Sequence, residues 1–215
     1  MKTNEEVWSI VNELKALYPD SLCSLEYEKD YELLFSVRLA AQCTDERVNK
    51  VTPALFARFP TLESLAQADV AEVEQYIHST GFFRAKARDI VLASQMLLRD
   101  YGGKVPGTME ELLKLPGVGR KTANVVMSCA FGMDAIAVDT HVFRVSNRLG
   151  LADAPDVLKT ERQLMEHIPK EQWSRAHHWL ILHGRQVCTA RRPACPTCTL
   201  HALCEYANGN PKGKK

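Results

Sequence analysis

The sequence predicts an all-α fold, and two observations carry that prediction. Apolar residues recur at helical spacing along nearly all of the 215 residues, beginning with Val7, Ile10, Val11 and Leu14, whereas strand alternation is almost absent. The composition, 46% hydrophobic and 25% charged, is that of a globular protein and argues against disordered, collagen-like and disulfide-scaffold chains. No apolar run reaches the roughly 18 residues of a membrane span, and the start of the chain is acidic where a signal peptide is apolar, so we expect an intracellular protein.

Start and stop signals divide this pattern into helices. Asn4 is the expected N-cap of the first helix, and Asp30 and Asp45 open the second and third. Asp69 and Glu72 have the spacing of a capping box at the start of another helix. Further helices are expected over residues 84–100, 108–114, 120–131, 139–149, 155–168 and 171–185.

Charge is distributed unevenly along the chain, although the net charge is only +1. Residues 1–80 carry 7 Lys and Arg against 14 Asp and Glu, and residues 81–215 carry 20 against 12. A single basic surface is most often a surface for nucleic acid. The alternative is that charges distant in sequence mix in the folded protein, and charge alone does not decide between the two.

Four of the seven cysteines lie within 17 residues, at Cys188, Cys195, Cys198 and Cys204, with the spacing C-x6-C-x2-C-x5-C. In a reducing compartment, clustered thiols bind metal more often than they form disulfides. The spacing alone leaves zinc and a 4Fe-4S cluster equally open, because four thiolates satisfy either. The other three cysteines lie within or beside apolar helical stretches and are expected to be buried, inert thiols.

The segment Leu-Pro-Gly-Val-Gly-Arg-Lys-Thr, residues 115–122, separates two predicted helices. Its glycines allow a tight turn and the close approach of a ligand to the backbone, and the N-terminus of the second helix offers N–H groups to a phosphate. Lys121 then has two interpretations. It is either a phosphate contact or a nucleophile for Schiff-base chemistry, because the positive helix end and partial burial both disfavour its ammonium form.

Asp139, in Ala-Val-Asp-Thr-His-Val, is the best candidate for a partner of Lys121. It follows an apolar stretch and stands at the start of a predicted helix, so a plain N-cap is the competing interpretation. His141, two residues later, is interpreted as a structural hydrogen-bonding residue.

Three features occur together and in order: Leu-Pro-Gly-Val-Gly-Arg-Lys-Thr-Ala at residues 115–123, Val-Asp-Thr-His-Val at 138–142, and the four cysteines within 188–204. Together they resemble the endonuclease III family of bifunctional, helix-hairpin-helix DNA glycosylases. The resemblance extends over roughly residues 5–205, and the cysteine spacing matches the cluster loop of that family without a gap.

The resemblance implies two all-helical lobes with a DNA-binding cleft between them. One is a six-helix bundle at residues 23–133, with the helix-hairpin-helix motif at about 108–131. The other joins residues 1–22 to 134–215 and carries the cluster loop, in which the four cysteines hold a 4Fe-4S cluster rather than zinc.

Position by position, the resemblance implies that Lys121 is the nucleophile and Asp139 the catalytic aspartate of an enzyme that removes oxidised pyrimidines from duplex DNA. The damaged base must leave the helical stack before it can be reached. Lys121 then attacks C1′ and expels the base, while Asp139 helps to remove the amine proton and stabilises positive charge on the sugar. The resulting Schiff base permits β-elimination, which cuts the strand on the 3′ side.

Four further positions are implied to contact DNA. Gln42, in Leu-Ala-Ala-Gln-Cys-Thr-Asp, matches the glutamine that fills the gap left by the extruded nucleotide, with a surface amide as the alternative. Phe82 stands where the family usually has a leucine wedge, a departure for which core packing is the alternative. The amides of Gly117 and Gly119 are the expected phosphate contacts.

Arg185, Arg191 and Arg192 surround the first two cysteines of the cluster loop. We expect them to make salt-sensitive phosphate contacts, with solvated loop charge as the alternative. The implied partner is double-stranded DNA containing damaged pyrimidines or abasic sites. The implied protein is a monomer of the bacterial cytoplasm, associated with the nucleoid and not with a membrane.

Three other functions compete with this one. An adenine glycosylase of the same fold lacks a lysine at the position of Lys121. A non-catalytic DNA-binding module with zinc on its cysteines has no need of Lys121 together with Asp139. A purely structural helical scaffold does not explain the Pro-Gly-Val-Gly-Arg-Lys turn, which has no evident role in packing.

Overall fold

The computed structural model describes residues 2–21 and 23–209, and every regular element in these residues is helical, as predicted. The α-helices are α1 (Asn4–Leu17), α2 (Asp30–Leu39), α3 (Asp45–Arg58), α4 (Leu62–Ala66), α5 (Val70–Ile77), α6 (Phe83–Tyr101), α7 (Met109–Leu112), α8 (Arg120–Cys129), α9 (Thr140–Leu149), α10 (Val157–His167) and α11 (Trp173–Gln186). Short 3₁₀ turns cover His78–Thr80, Lys170–Gln172, Cys195–Thr197 and His201–Leu203. None of the described helices has the length and hydropathy needed to cross a membrane.

The first helix shows how local side chains fix the helix starts. Thr3 Oγ1 accepts a hydrogen bond from the N–H of Glu6, and the Glu6 carboxylate accepts one from the N–H of Thr3. These reciprocal bonds satisfy two N–H groups that have no partner inside the helix. The cap of α1 therefore lies one residue before the predicted Asn4.

The chain divides into two compact units. The bundle unit is Cys23–Phe131 and contains α2 to α8, and the terminal unit joins Met1–Leu22 to Gly132–Lys215 and contains α1 with α9 to α11. The bundle unit has seven α-helices, one more than the expected six. Two of the seven are very short: α4 spans five residues and α7 spans four. The proposed division at residue 133 into two lobes that face a cleft stays a prediction.

The bundle unit is organised around α6, its longest helix. This helix packs against α4 and α5, and Ile90 and Leu97 on its inner face have no exposed surface. The α2 helix packs against α3 and α8, and the short α7 also packs against α8. The helix that begins at the predicted glycine turn is therefore seated directly on the core of this unit.

The terminal unit has its own apolar core. The α9 helix packs against α10 and α11, and α1 packs against α11. Trp179 of α11 is completely buried in this core, together with Val142 and Val145 of α9. The core thus holds α9, which begins directly after Asp139, beside the helix that leads into the cysteine-rich segment.

Candidate functional site

The predicted hairpin is present between α7 and α8. The Val118 N–H donates to the Leu115 carbonyl at 3.1 Å, which closes the turn, and Leu115 is buried. Gly119 is the N-cap of α8 and has no side chain with which to cap the helix start. The first turn of a helix has N–H groups without intrahelical partners, which is the general setting of an anion site at a helix N-terminus.

Gly117 is required by its backbone and by its surroundings. Its φ of +73° lies in the left-handed region, and a Cβ atom there would lie 2.5 Å from Asp89 Oδ2 and 2.6 Å from Arg38 Nε. Those two side chains form an ion pair between α2 and α6, with Arg38 Nε 2.8 Å from Asp89 Oδ2. The hairpin turn therefore rests against this ion pair. Nothing in the sequence predicts the pair, because its two members are 51 residues apart.

Lys121 is the second residue of α8 and its side chain is exposed. The expected partial burial of this lysine is therefore wrong for the free protein. The residue lies in the first turn of α8, two positions after the glycine N-cap. The position is open to a ligand that approaches the hairpin.

Asp139 is the N-cap of α9, as its competing interpretation predicted. One carboxylate oxygen, Oδ1, accepts the N–H groups of His141 and Val142, both at 2.8 Å. These bonds fix the rotation of a half-buried carboxylate. Capping and catalysis are compatible, because both bonds use the same oxygen. Asp139 belongs to the terminal unit and Lys121 to the bundle unit, so their approach stays a prediction.

Arg144 of α9 connects His141, at the start of the same helix, to the cysteine-rich segment. Its Nη2 is 3.1 Å from His141 Nδ1, and Nη2 also donates to the carbonyls of Gly184 at 2.9 Å and Cys188 at 3.1 Å. His141 is thus engaged in a structural hydrogen bond, as expected. Arg144 orders the backbone where α11 meets the first cysteine of the cluster loop.

Gln42 and Phe82 share an unusual backbone conformation. Within the described residues they are the only non-glycine residues with a positive φ, at 56° for Gln42 and 47° for Phe82. This conformation is strained for an L-residue and concentrates at functional positions. Gln42 is exposed, and Phe82 has 69% of its surface exposed, so the core-packing alternative for Phe82 is wrong. Both side chains project from turns of the bundle unit.

The four clustered cysteines line one cavity in the terminal unit. Burial raises the pKa of the Cys198 and Cys204 thiols, and the charge of the neighbouring cysteines acts in the same direction. Converging thiols of this kind need cations to become stable thiolates. Among the described residues, no three Cys, His, Asp or Glu side chains are grouped tightly enough to hold a single metal ion.

Two buried residues support the cysteine cavity. His183 Nε2 is 3.6 Å from Cys198 Sγ, and burial lowers the His183 pKa to about 4, so the ring is neutral near pH 7. Arg148 has 7% of its surface exposed and donates to Cys188 Sγ at 3.4 Å. Its guanidinium also donates to the carbonyls of Thr189 at 2.8 Å and Ala190 at 2.9 Å.

The loop held by Arg148 carries Arg191 and Arg192, both exposed. The Thr189 hydroxyl donates to the Arg192 carbonyl at 2.7 Å and closes the loop on itself. Arg185, near the end of α11, is exposed as well. All three predicted phosphate contacts therefore lie on the surface of the terminal unit near the cysteine cavity.

Three comparisons with known proteins agree with this arrangement. Residues 35–170 match the family described as "HhH-GPD superfamily base excision DNA repair protein". The chain is 53% identical to the curated endonuclease III of Synechocystis over 92% of its length and 90% of the relative's, and 48% identical to that of Bacillus subtilis over 93% and 90%. The chain belongs to the endonuclease III family.

Solved structures extend the similarity to the fold. The chain matches the protein in "Structure of a Trapped Endonuclease III-DNA Covalent Intermediate: Estranged-Adenine Complex" with a TM-score of 0.92 and 48% identity, over 97% of this chain and 98% of that one. The helical fold predicted for the endonuclease III family is thereby confirmed. Membership of a DNA repair family also excludes the purely structural scaffold.

Proposed function

We propose that the chain excises oxidised pyrimidines from duplex DNA through a Schiff base on Lys121 and then cuts the strand by β-elimination. Membership of the endonuclease III family makes it a bifunctional DNA glycosylase and abasic-site lyase of base excision repair. The observation that carries the assignment to Lys121 is its place in α8: an exposed lysine in the first turn of the helix, two residues after the glycine N-cap, where DNA backbone can approach.

The chemistry follows from the two candidate catalytic residues. The uncharged amine of Lys121 attacks C1′ of the extruded nucleotide, and the bond to the base breaks with its electron pair leaving on the base. Asp139 accepts the amine proton and stabilises the positive charge that develops on the sugar. Its two backbone hydrogen bonds, both at 2.8 Å, support this role by keeping the carboxylate in one orientation.

The second step uses the same covalent link. Opening of the sugar ring leaves an iminium between C1′ and the Lys121 nitrogen, and this group acidifies the C2′ hydrogens. Removal of a C2′ proton forms the C2′–C3′ double bond and expels the 3′ phosphate, which cuts the strand. Water then hydrolyses the imine and releases Lys121.

Gln42 and Phe82 are proposed to hold the duplex open during this reaction. Phe82 enters the stack as a wedge, and the Gln42 amide donates to and accepts from the base left without a partner. Their exposure and strained backbones support this assignment. Neither a strained backbone nor an exposed side chain stabilises the fold, and such strain concentrates at functional positions.

Backbone amides and arginines are proposed to hold the phosphates. The Gly117 and Gly119 amides bind phosphate at the hairpin, and Arg185, Arg191 and Arg192 bind the backbone beside the cysteine cavity. We place this DNA-binding monomer in the bacterial cytoplasm, on the nucleoid. The relatives reported above are bacterial, which supports that location.

We assign a 4Fe-4S cluster, rather than zinc, to Cys188, Cys195, Cys198 and Cys204. The donor set fits, because all four thiols line the same cavity and four thiolates are the usual ligands of such a cluster. When bound, the cluster supplies a cross-link that orders the loop. The ordered loop then presents its two arginines, Arg191 and Arg192, to DNA.

Borohydride trapping tests the proposed mechanism. Wild-type protein on a duplex with one thymine glycol should form a covalent adduct when the Schiff base is reduced, and Lys121→Ala should form none while it still binds the duplex. Strand cleavage is scored in parallel. The mechanism would be refuted if folded wild-type protein gave no adduct on thymine glycol or on a plain abasic site.

A further inference from the structure

Lys86 of α6 is a buried cation. It has no exposed surface, and its Nζ donates to the Leu39 carbonyl at 2.7 Å and to the Thr80 carbonyl at 2.8 Å. Within the described part of the chain, no carboxylate forms an ion pair with it. Lysine is almost never fully buried without such a partner, because its charge loses the solvation of water. The two carbonyls therefore take the place of the missing counter-ion.

The two carbonyls have one feature in common: each closes a helical segment. Leu39 is the last residue of α2, and Thr80 is the last residue of the 3₁₀ turn that follows α5. The last carbonyls of a helix have no partner inside it and carry its negative dipole end. One ammonium group thus caps two helical segments that are distant in sequence.

Each capped segment runs directly into one of the strained DNA-contact residues. The Gln42 turn, residues 40–43, begins directly after Leu39, and the Phe82 turn, residues 80–82, begins at Thr80 itself. The backbone N–H of Lys86 also donates to the Phe82 carbonyl at 3.1 Å. Lys86 therefore holds the Phe82 turn at both ends and the Gln42 turn at its base.

We propose that Lys86 is a positioning residue that fixes the Gln42 and Phe82 turns relative to each other, so that the two side chains enter the duplex together. This inference rests on the proposed roles of Gln42 and Phe82 and names the group that couples them. Two side chains that must fill one disrupted base-pair step need a fixed separation, and hydrogen bonds from a single nitrogen to both turns supply it.

The obvious alternative is that Lys86 serves only general stability. The two explanations differ in which substrates they affect. Opening a duplex requires Gln42 and Phe82, whereas β-elimination at an abasic site in single-stranded DNA requires no base extrusion and no filling of a gap. A positioning defect slows only the first reaction, while a folding defect slows both.

The test uses the cluster-loaded full chain with Lys86→Met, which keeps a long unbranched side chain but cannot donate. We expect single-turnover excision of thymine glycol from a duplex to slow by about 30-fold, while strand cleavage at a single-stranded abasic site stays within about twofold of wild type. Lys86→Gln, which retains a donor for one carbonyl, should fall between and serves if Lys86→Met does not fold. Leu97→Ala, about three turns further along α6, is the control for lost stability and should affect both substrates equally.

A double-mutant cycle gives the second readout. In a Gln42→Ala, Phe82→Ala background the Lys86→Met change should cost less than about twofold on the duplex, since no side chains remain to be positioned. The same loss in both backgrounds, equal losses on both substrates, or no loss on the duplex would overturn the proposal. Failure of wild-type protein to excise thymine glycol from the duplex would instead refute the proposed function.

Discussion

Gly117 and Gly119 stand two residues apart in the hairpin and are predicted to serve different purposes. Gly117 has a φ of +73° and no room for a Cβ beside Arg38 and Asp89. Gly119 has a φ of −102°, and no described atom lies within 4 Å of the place a Cβ would take. Gly117→Ala should therefore destabilise the protein by about 2–3 kcal/mol, whereas Gly119→Ala should change stability by less than about 1 kcal/mol.

Thermal unfolding and DNA binding separate the two effects. Gly117→Ala should lower Tm by about 5–10 °C, and Gly119→Ala should leave it nearly unchanged but weaken binding to undamaged duplex, since its methyl group obstructs a phosphate. Gly107, which also has open space at its Cβ, provides a Gly→Ala control outside the turn. Equal binding by Gly119→Ala and wild type would remove Gly119 from the phosphate contacts.

Several residues have a conformation or a burial that could not be predicted from the sequence. The resemblance indicated Gln42 and Phe82, but their left-handed backbones could not be predicted, because neither residue type favours a positive φ. Lys86 gave no signal at all, since a lysine in a helical pattern is normally exposed. The three lone cysteines were predicted to be buried and inert, yet all are half-buried. A hydrogen bond with Cys129 lowers the pKa of the Cys23 thiol to about 7.

At the scale of elements, the helices were predictable because their signals are local. Thr61, Asp69 and Thr108 cap the helices that follow them, through bonds spanning two or three residues. The capping box predicted for Asp69 and Glu72 is wrong. Glu72 instead accepts from Arg58 Nε at 2.6 Å, an ion pair between α3 and α5 that tertiary packing creates and local spacing cannot show.

The cysteine loop gives a prediction at the same scale. Arg148 of α9 donates hydrogen bonds to Cys188, Thr189 and Ala190. These bonds connect the loop to α9 without depending on the metal. Purified wild-type protein should contain about four iron atoms per chain. Arg148→Met should release that iron to a chelator several-fold faster, because the loop loses three hydrogen bonds while the buried methylene chain is kept.

Arg191→Met is the matched control for Arg148→Met, since it removes the same charge from an exposed position on the same loop. Its iron release should equal that of the wild type. Chelator-dependent loss of the cluster colour measures both rates. If Arg148→Met and Arg191→Met retain iron equally well, the loop is held by the cluster alone.

For the whole molecule, the uneven charge of the sequence does not become an uneven charge of the units. The bundle unit, residues 23–131, carries 13 Lys and Arg and 14 Asp and Glu, so the acidic first part of the chain and the basic second part mix within it. No sequence signal could show whether Lys121 and Asp139 approach each other, because each belongs to a different unit.

Because neither charge sign dominates the bundle unit, DNA affinity should depend on a few local contacts. The logarithm of the binding constant should fall with the logarithm of salt concentration, and each lost phosphate contact should reduce the slope by about 0.9. Arg191→Ala with Arg192→Ala should thus reduce the slope by about 1.8 on undamaged duplex and on damaged duplex alike. Lys15→Ala with Lys159→Ala removes the same charge from exposed positions on α1 and α10 and should leave the slope unchanged. An equal reduction in both double variants would show that net charge, rather than the loop beside the cysteine cavity, draws the protein to DNA.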